Sequence, residues 1–83
     1  MRYYVYLLLS EKDNRFYVGY SSNVERRFKE HCEGRVCSTK FRCPLNLIYY
    51  ECYNNESKAK EREGKLKQFG AAFQALLKRI GYR

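Results

Sequence analysis

Two adjacent arginines and the chain's single histidine lie on one predicted helix of this 83-residue sequence. The apolar arc of that helix consists of Val24, Phe28 and Cys32. Because an α-helix turns by about 100° per residue, His31 lies within the arc, Arg27 at its edge and Arg26 on the opposite side. Arg27 either holds a phosphate with its planar set of N–H donors or packs its stem on the core with its charge in solvent. His31 is either a catalytic group or a half-buried side chain with satisfied hydrogen bonds.

A carboxylate lies on the inner face of a second predicted helix. That face is marked by Ala59, Leu66 and Gly70. Glu63 lies in the middle of it, whereas Glu61 lies on the far side among lysines. A carboxylate on an inner face costs free energy unless a cation satisfies it, and that cation is either an arginine or a metal ion. One carboxylate can be enough for Mg²⁺, which usually retains waters and binds phosphate oxygens.

Tyrosines and a glycine share faces of two predicted strands. By the alternation of a strand, Tyr4 and Tyr6 lie on one face of the first strand, and Tyr17 and Gly19 on one face of the second. Two phenols near an arginine and a glutamate could orient a water molecule, accept its proton or bind a phosphate. Since the ordinary pKa of tyrosine is about 10, a nearby cation would have to stabilise a phenolate. Tyrosine is also common in half-buried strands for purely structural reasons.

The elements that position these residues follow from the apolar pattern. Strands are predicted over residues 3–9, 15–20 and 45–53, and helices over 22–33, 56–68 and 70–80. Ser22 and Glu25 form a capping box at the start of the first helix, and Gly34 follows its end in a left-handed conformation. The order β-β-α-β-α-α predicts an α+β fold in which helices flank a small three-stranded antiparallel sheet.

The first two strands are predicted to form a β-hairpin with a turn near residues 13–14. This turn would pair Leu8 with Gly19. It would also bring Tyr6 and Tyr17 to the same side of the sheet.

The net charge of +8 favours a polyanionic partner. The charge is concentrated in residues 57–83, which carry a balance of +6, whereas residues 1–56 carry +2. The alternative is that this charge serves only solubility.

The four cysteines have no C-x-x-C spacing, so we expect reduced, partly buried thiols in a cytoplasmic protein and no zinc site. The N-terminal apolar run is too short for a signal peptide or a membrane span, and we therefore expect no membrane association.

In their order and spacing, these positions resemble the GIY-YIG nuclease family. The motifs that carry the resemblance are Tyr4-Val5-Tyr6, Tyr17-Val18-Gly19, the helix over residues 24–31, the strand-like segment 44–51 and the helical segment 59–63. Tyr4 stands where the family signature has glycine, and valine replaces isoleucine in both signatures. The likeness is to short, stand-alone bacterial members related to the N-terminal domain of the excision-repair nuclease subunit.

The resemblance implies a role for each matching residue. Tyr6 would be the general base or would orient the attacking water, and Tyr17 would support it and contact the phosphate. Arg27 would stabilise the developing charge, His31 would assist proton transfer or position Tyr6, and Glu63 would bind Mg²⁺ or Mn²⁺. Further substrate contacts are expected at Tyr4, Gly19, Tyr20 and Lys40.

The resemblance therefore implies one nuclease domain over residues 1–83, an endonuclease that cuts DNA in repair or recombination. RNA stays open as a substrate, and a recruiting protein is a further expected partner. Selection of a DNA structure is expected rather than of a sequence, because 83 residues leave no room for a site-selecting domain. Two alternatives are a nucleic-acid-binding module with little or no catalysis and a protein-interaction role.

Overall fold

A three-stranded antiparallel sheet carries one helix on one face and two on the other, in a computed structural model that describes residues 1–82. The elements in chain order are β1 (Tyr3–Ser10), β2 (Phe16–Ser21), α1 (Val24–Cys32), β3 (Leu45–Tyr53), α2 (Glu56–Lys67) and α3 (Ala71–Ile80). The predicted α+β class and the element order are thus confirmed. None of the helices in the described chain is long and apolar enough to cross a membrane.

The central strand β1 separates two apolar cores, because the sheet order is β2-β1-β3 and both faces of β1 are covered. On one side Tyr6 and Leu8 pack with Val24 of α1 and with Leu45. The core on the other side consists of Val5, Leu7, Val18, Ala59, Leu66, Phe73, Leu76 and Leu77. Burial on both faces explains why the first strand is a continuous apolar run rather than an alternating pattern.

The β1–β2 hairpin has a different register from the one predicted. Its loop covers residues 11–15 and is closed by backbone hydrogen bonds from the Ser10 N–H to the Arg15 carbonyl and from the Asn14 N–H to the Ser10 carbonyl. Asn14 has a left-handed φ of 58°, which asparagine tolerates well. The centre of the hairpin therefore lies between residues 12 and 13, one position before the predicted turn.

This shift changes the cross-strand partners but preserves the faces. Tyr6 lies opposite Gly19 and Leu8 opposite Tyr17, so the predicted pairing of Leu8 with Gly19 is wrong. Because the partners move by two residues, the alternation is unaffected. Tyr6 and Tyr17 lie on the same side, as predicted.

Asparagine side chains begin the first two helices. Asn23 accepts the backbone N–H of the residue three positions later, and Asn55 does the same for α2. The N-cap of α1 is therefore Asn23, and the predicted N-cap, Ser22, is one residue too early. Helix α1 ends at Cys32, one residue before the predicted end, and Gly34 has the predicted left-handed conformation with φ 72°.

Two residues assigned to inner helix faces lie elsewhere. Cys32, the last residue of α1, lies outside both cores and is exposed. Gly70 cannot extend the inner face of α2, because α2 ends at Lys67 and a left-handed Phe69 (φ 54°) intervenes. Gly70 is instead the N-cap of α3.

The cysteines are free, as predicted, but less buried than expected. Only Cys43 of the four is partly buried, and the exposed ones are Cys32, Cys37 and Cys52.

A polar network fixes α2 to the edge strand β3. The Glu51 carboxylate accepts hydrogen bonds from Tyr49, from Tyr53 at 2.6 Å and from Arg62 Nε at 2.7 Å. Burial alone would raise the pKa of Glu51, but these hydrogen bonds hold it below its ordinary value. The network lies on the face opposite Tyr6, so it stabilises the scaffold without entering the tyrosine side of the sheet.

Candidate active site

The Tyr6 side chain lies across Gly19 of the neighbouring strand. A β-carbon built at Gly19 would be 2.3 Å from both Cζ and Oη of Tyr6, far inside van der Waals contact. Gly19 is therefore needed for space and not for an unusual φ. The glycine lets the Tyr6 phenol extend from the central strand over β2, one of the two edge strands of the sheet.

A chain of buried hydrogen bonds begins at this phenol. Tyr6 Oη is 2.9 Å from His31 Nε2, and His31 Nδ1 is 2.7 Å from Thr39 Oγ1. The Thr39 hydroxyl lies 3.5 Å from the carbonyl of Val36, to which it donates. His31 and Thr39 are fully buried. With Thr39 donating to Val36, the proton of the imidazole lies on Nδ1, and Nε2 accepts the proton of Tyr6.

His31 is neutral at physiological pH. Burial lowers its pKa to about 4, and the positive charge of Arg27 acts in the same direction. A neutral imidazole retains one acceptor nitrogen, which the hydrogen bond to Tyr6 uses.

The Tyr6 phenol is harder to ionise than an ordinary tyrosine. Burial is the main cause that raises its pKa to about 12, and Tyr17 adds to the effect. The guanidinium of Arg27 opposes the shift, whereas the Glu63 carboxylate reinforces it. Tyr6 therefore carries its proton at neutral pH and can lose it only to a bonded acceptor or beside additional positive charge.

Tyr17 completes an aromatic cluster around the histidine. Its ring centroid is 5.0 Å from that of His31, in an edge-on arrangement, and 6.4 Å from that of Tyr6. Both predicted tyrosines and the predicted histidine thus lie together on the α1 side of the sheet.

Arg27 lies at the border of this cluster, whereas Arg26 is exposed. Arg27 Nη1 donates to Glu30 Oε1 at 3.1 Å, and its side chain is 38% exposed. This pair is partly solvated and weak, so the guanidinium can also bind a phosphate. The choice of Arg27 over Arg26 agrees with the geometry.

Glu63 approaches Tyr6 from α2, on the other side of the sheet. It is close enough to raise the pKa of the Tyr6 phenol, and its carboxylate pairs with Lys67 Nζ at 3.3 Å. A lysine, rather than the arginine or metal expected from the sequence, thus supplies a cation in this structure. Glu61, in contrast, is exposed and pairs with Lys58 and Lys65 on the outer face.

The surroundings of Glu63 fit a divalent ion held by a single carboxylate. Its side chain is 21% exposed, and Lys67 is about half exposed, so exchanging this partner costs little. Residues 1–82 contain no group of three or more His, Cys, Asp or Glu side chains that could hold a metal ion. A divalent ion bound here would have Glu63 as its protein ligand, with waters and phosphate oxygens as the others, an arrangement common for Mg²⁺.

The other predicted substrate contacts are dispersed. Tyr4 shares the face of Tyr6 but packs edge-on against Tyr50 beside the start of α1. Tyr20 lies on the opposite face, where its hydroxyl donates to Glu56. Lys40 extends over the ring of the exposed Phe41.

Thr39 and Cys43 were not identified from the sequence, although both contact His31. Thr39 bonds its ring, and the Cys43 thiol donates to its carbonyl at 3.3 Å. They lie in residues 33–44, which form no helix or strand. Neither helical nor strand periodicity therefore indicates where their side chains point.

The comparisons with known proteins agree with this geometry. The family model described as the GIY-YIG catalytic domain matches residues 2–74. The chain belongs to the GIY-YIG family, whose members are nucleases and generally use divalent metal ions.

Among the relatives are proteins named UPF0213. One from Staphylococcus haemolyticus is 41% identical over 69 residues, 82% of this chain and 83% of the relative. One from the archaeon Haloquadratum walsbyi is 37% identical over 68 residues, 81% and 75% of the two chains. The solution structure of a UPF0213 protein from Bacillus halodurans has a TM-score of 0.59 and 28% identity, covering 98% of this chain and 86% of that one.

Proposed function

We propose that this protein is a divalent-metal-dependent endonuclease that hydrolyses phosphodiester bonds in DNA. The observation that carries the proposal is the buried hydrogen bond between Tyr6 and a neutral His31, in electrostatic contact with Arg27 and Glu63. A purely structural tyrosine needs one hydrogen-bond partner for its buried hydroxyl, but it does not need an arginine and a carboxylate beside that hydroxyl as well. Clusters of this kind, with perturbed pKa values, are typical of functional sites.

Each group has a role in this proposal. Tyr6 orients the attacking water, and His31 Nε2 accepts the phenol proton as the phenol takes one from the water. Tyr17 contacts the phosphate and packs against His31. Arg27 exchanges Glu30 for the phosphate and stabilises the charge that develops on its oxygens.

The remaining role belongs to Glu63, which would hold the divalent ion. The ion, Mg²⁺ or Mn²⁺, supplies positive charge that polarises the phosphate and stabilises the leaving oxygen. Glu63 itself exchanges the ammonium group of Lys67 for that ion. This exchange frees Lys67 to contact the nucleic acid.

The biological setting is part of the same proposal. We infer a single nuclease domain over residues 1–83 that acts in the cytoplasm in DNA repair or recombination, selects a DNA structure rather than a sequence, and is recruited by a protein partner. Tyr4, Gly19, Tyr20 and Lys40 remain proposed substrate contacts, and RNA is a second substrate to test.

The alternative is a nucleic-acid-binding module that retains the scaffold with little catalysis. The observation that favours it is the exposed basic surface of α2, together with the high pKa of Tyr6. Such a module would bind DNA in a salt-dependent manner through lysines alone.

Cleavage assays with matched glutamate variants separate the two candidates. Labelled single-stranded, duplex and branched DNA are incubated with Mg²⁺, with Mn²⁺ and with a chelator. We expect metal-dependent cutting that Glu63→Gln abolishes and that Glu61→Gln leaves intact, because Glu61 lies on the outer face of the same helix. Cutting that survives Glu63→Gln would refute the metal role, and binding without cutting under any metal would favour the binding module.

A further inference from the structure

A cleft of about 320 Å³ opens beside Tyr17, at the corner between α2 and α3. The residues that line it are Phe16, Tyr17, Val18, Arg42, Lys67 and Phe69. Its floor is mainly apolar and aromatic, and its two charged residues are both cations. Tyr17 of the candidate active site also lines the cleft, and Lys67 is the one other lining residue that has a role assigned above.

Phe69 has an unusual backbone for a phenylalanine in this cleft. It follows the C-cap of α2 with φ 54°, a position that glycine or asparagine normally takes. A bulky residue in this conformation is strained relative to a relaxed backbone. Phe69 is nonetheless 49% exposed, so burial does not fully offset this strain. Strained residues of this kind are concentrated at ligand-binding positions.

Neighbouring contacts fix the Phe69 ring and the Arg42 side chain, which both line the cleft. The Phe69 ring packs edge-on against the buried Phe73, with centroids 4.8 Å apart. Arg42 donates from Nε to Asp13 and from Nη2 to the Phe16 carbonyl, both at 3.2 Å. The cleft is therefore preorganised, and a ligand entering it would order few side chains.

The chemistry of the cleft matches one part of a nucleic acid. Aromatic rings stack on bases, and flanking cations contact the phosphates on either side. A paired base inside a duplex cannot leave its stack without cost, whereas an unpaired base can. Lys67 lines the cleft and also pairs with Glu63, so the cleft lies beside the carboxylate that would hold the metal ion in the proposed nuclease.

We propose that this cleft holds an unpaired nucleobase adjacent to the scissile phosphate, stacked against Phe69. The inference rests on the proposed nuclease function and deepens it, because it identifies the structural feature that the enzyme selects. DNA with an unpaired base would be the preferred substrate, and fully paired duplex a poor one.

The test measures binding with a chelator present, so that it does not depend on cleavage. Fluorescence anisotropy compares a duplex carrying one unpaired adenine with a fully paired duplex of the same length. We expect the wild type to prefer the unpaired base by about tenfold, the lower part of the range for base stacking on an aromatic residue. Phe69→Gly and Phe69→Asn should reduce this ratio to below about threefold, and Phe69→Trp should retain it.

The Phe69 variants are chosen so that a loss of folding stability does not itself change the binding ratio. Glycine and asparagine both suit the left-handed backbone, so the lost ring contacts are partly compensated by relief of strain. Phe41→Ala, which removes another exposed phenylalanine outside the cleft, is the matched control and should keep the wild-type ratio.

No preference in the wild type, an unchanged ratio in Phe69→Gly, or an equal loss in Phe41→Ala would each overturn the assignment. Cleavage without this preference would refute the cleft alone. A preference without cleavage would support the cleft and count against the nuclease.

Discussion

The Tyr6 ring occupies the space that any side chain at Gly19 would need. The built β-carbon lies 2.3 Å from Oη and 2.7 Å from Cε1 of Tyr6, and the phenol bonds a buried histidine, so the ring cannot simply turn away. The position of the Tyr6 ring on β1 therefore requires a glycine at position 19 on β2, and the hairpin register places these two residues opposite each other.

Gly19→Ala should displace the Tyr6 ring, reducing both stability and cleavage. Overpacking of this kind costs about 1–3 kcal/mol of the free energy of unfolding. In a Tyr6→Ala background the alanine meets no ring, and its cost should fall below about 0.5 kcal/mol. Urea denaturation of the wild type, the two single variants and the double variant measures the coupling free energy between positions 6 and 19. Equal costs in the two backgrounds would show that the contact does not exist.

Arg27→Ala should reduce kcat by about 10²–10³-fold, the usual effect of removing one donor that stabilises developing charge. Arg26→Ala is the matched control on the exposed face of the same helix and should remain near the wild-type rate. Since Arg27 lowers the pKa of Tyr6, its loss should also shift the rise of rate with pH to higher pH. Arg27→Lys, which keeps the charge, should retain more of the wild-type pH profile. Similar losses for Arg26→Ala and Arg27→Ala would instead indicate general DNA binding by charge.

Thr39→Val should leave Nδ1 of His31 buried without a partner, a loss of about 1–3 kcal/mol in stability. The tautomer that accepts the Tyr6 proton would also be lost, and cleavage should fall. Thr39→Ser keeps the hydroxyl and should restore both. Because the chain has a single histidine, its ¹⁵N ring resonances report the tautomer without overlap. An unchanged tautomer in Thr39→Val would contradict a positioning role for Thr39.

The periodic parts of this protein were predictable because burial dictates them. The third strand has the predicted bounds, and the inward direction of Arg27, His31 and Glu63 follows from helical geometry alone. The hairpin register was not predictable, because it depends on the left-handed conformation of Asn14. Asparagine tolerates this conformation but does not require it.

The aperiodic parts account for what the sequence did not reveal. Thr39 reaches His31 from a segment without helix or strand, where no pattern marks the direction of a side chain. The predicted end of α2 at residue 68 lies within one residue of its observed end at Lys67. The left-handed backbone of Phe69 was not predicted, because phenylalanine does not favour that conformation. In both cases tertiary contacts determine the local structure.

His31 should make the protein progressively less stable below pH 6.5. Burial lowers its folded pKa to about 4, so the folded state holds the neutral form while the unfolded state takes up a proton first. The stabilisation is complete above the ordinary pKa of about 6.5 and is lost as pH falls from there to about 4. A shift of this size corresponds to roughly 3 kcal/mol.

Urea denaturation of wild type and His31→Gln across pH 4–8 tests this expectation, since glutamine has no charge to gain. The free energy of unfolding of the wild type should fall more steeply between pH 6.5 and 4 than that of the variant. Glu51, whose lowered pKa makes its own contribution at lower pH, is present in both proteins and cancels in the difference. Parallel curves would mean that His31 is protonated as easily in the folded protein as in the unfolded chain, and Nε2 would then not be available as the acceptor for Tyr6.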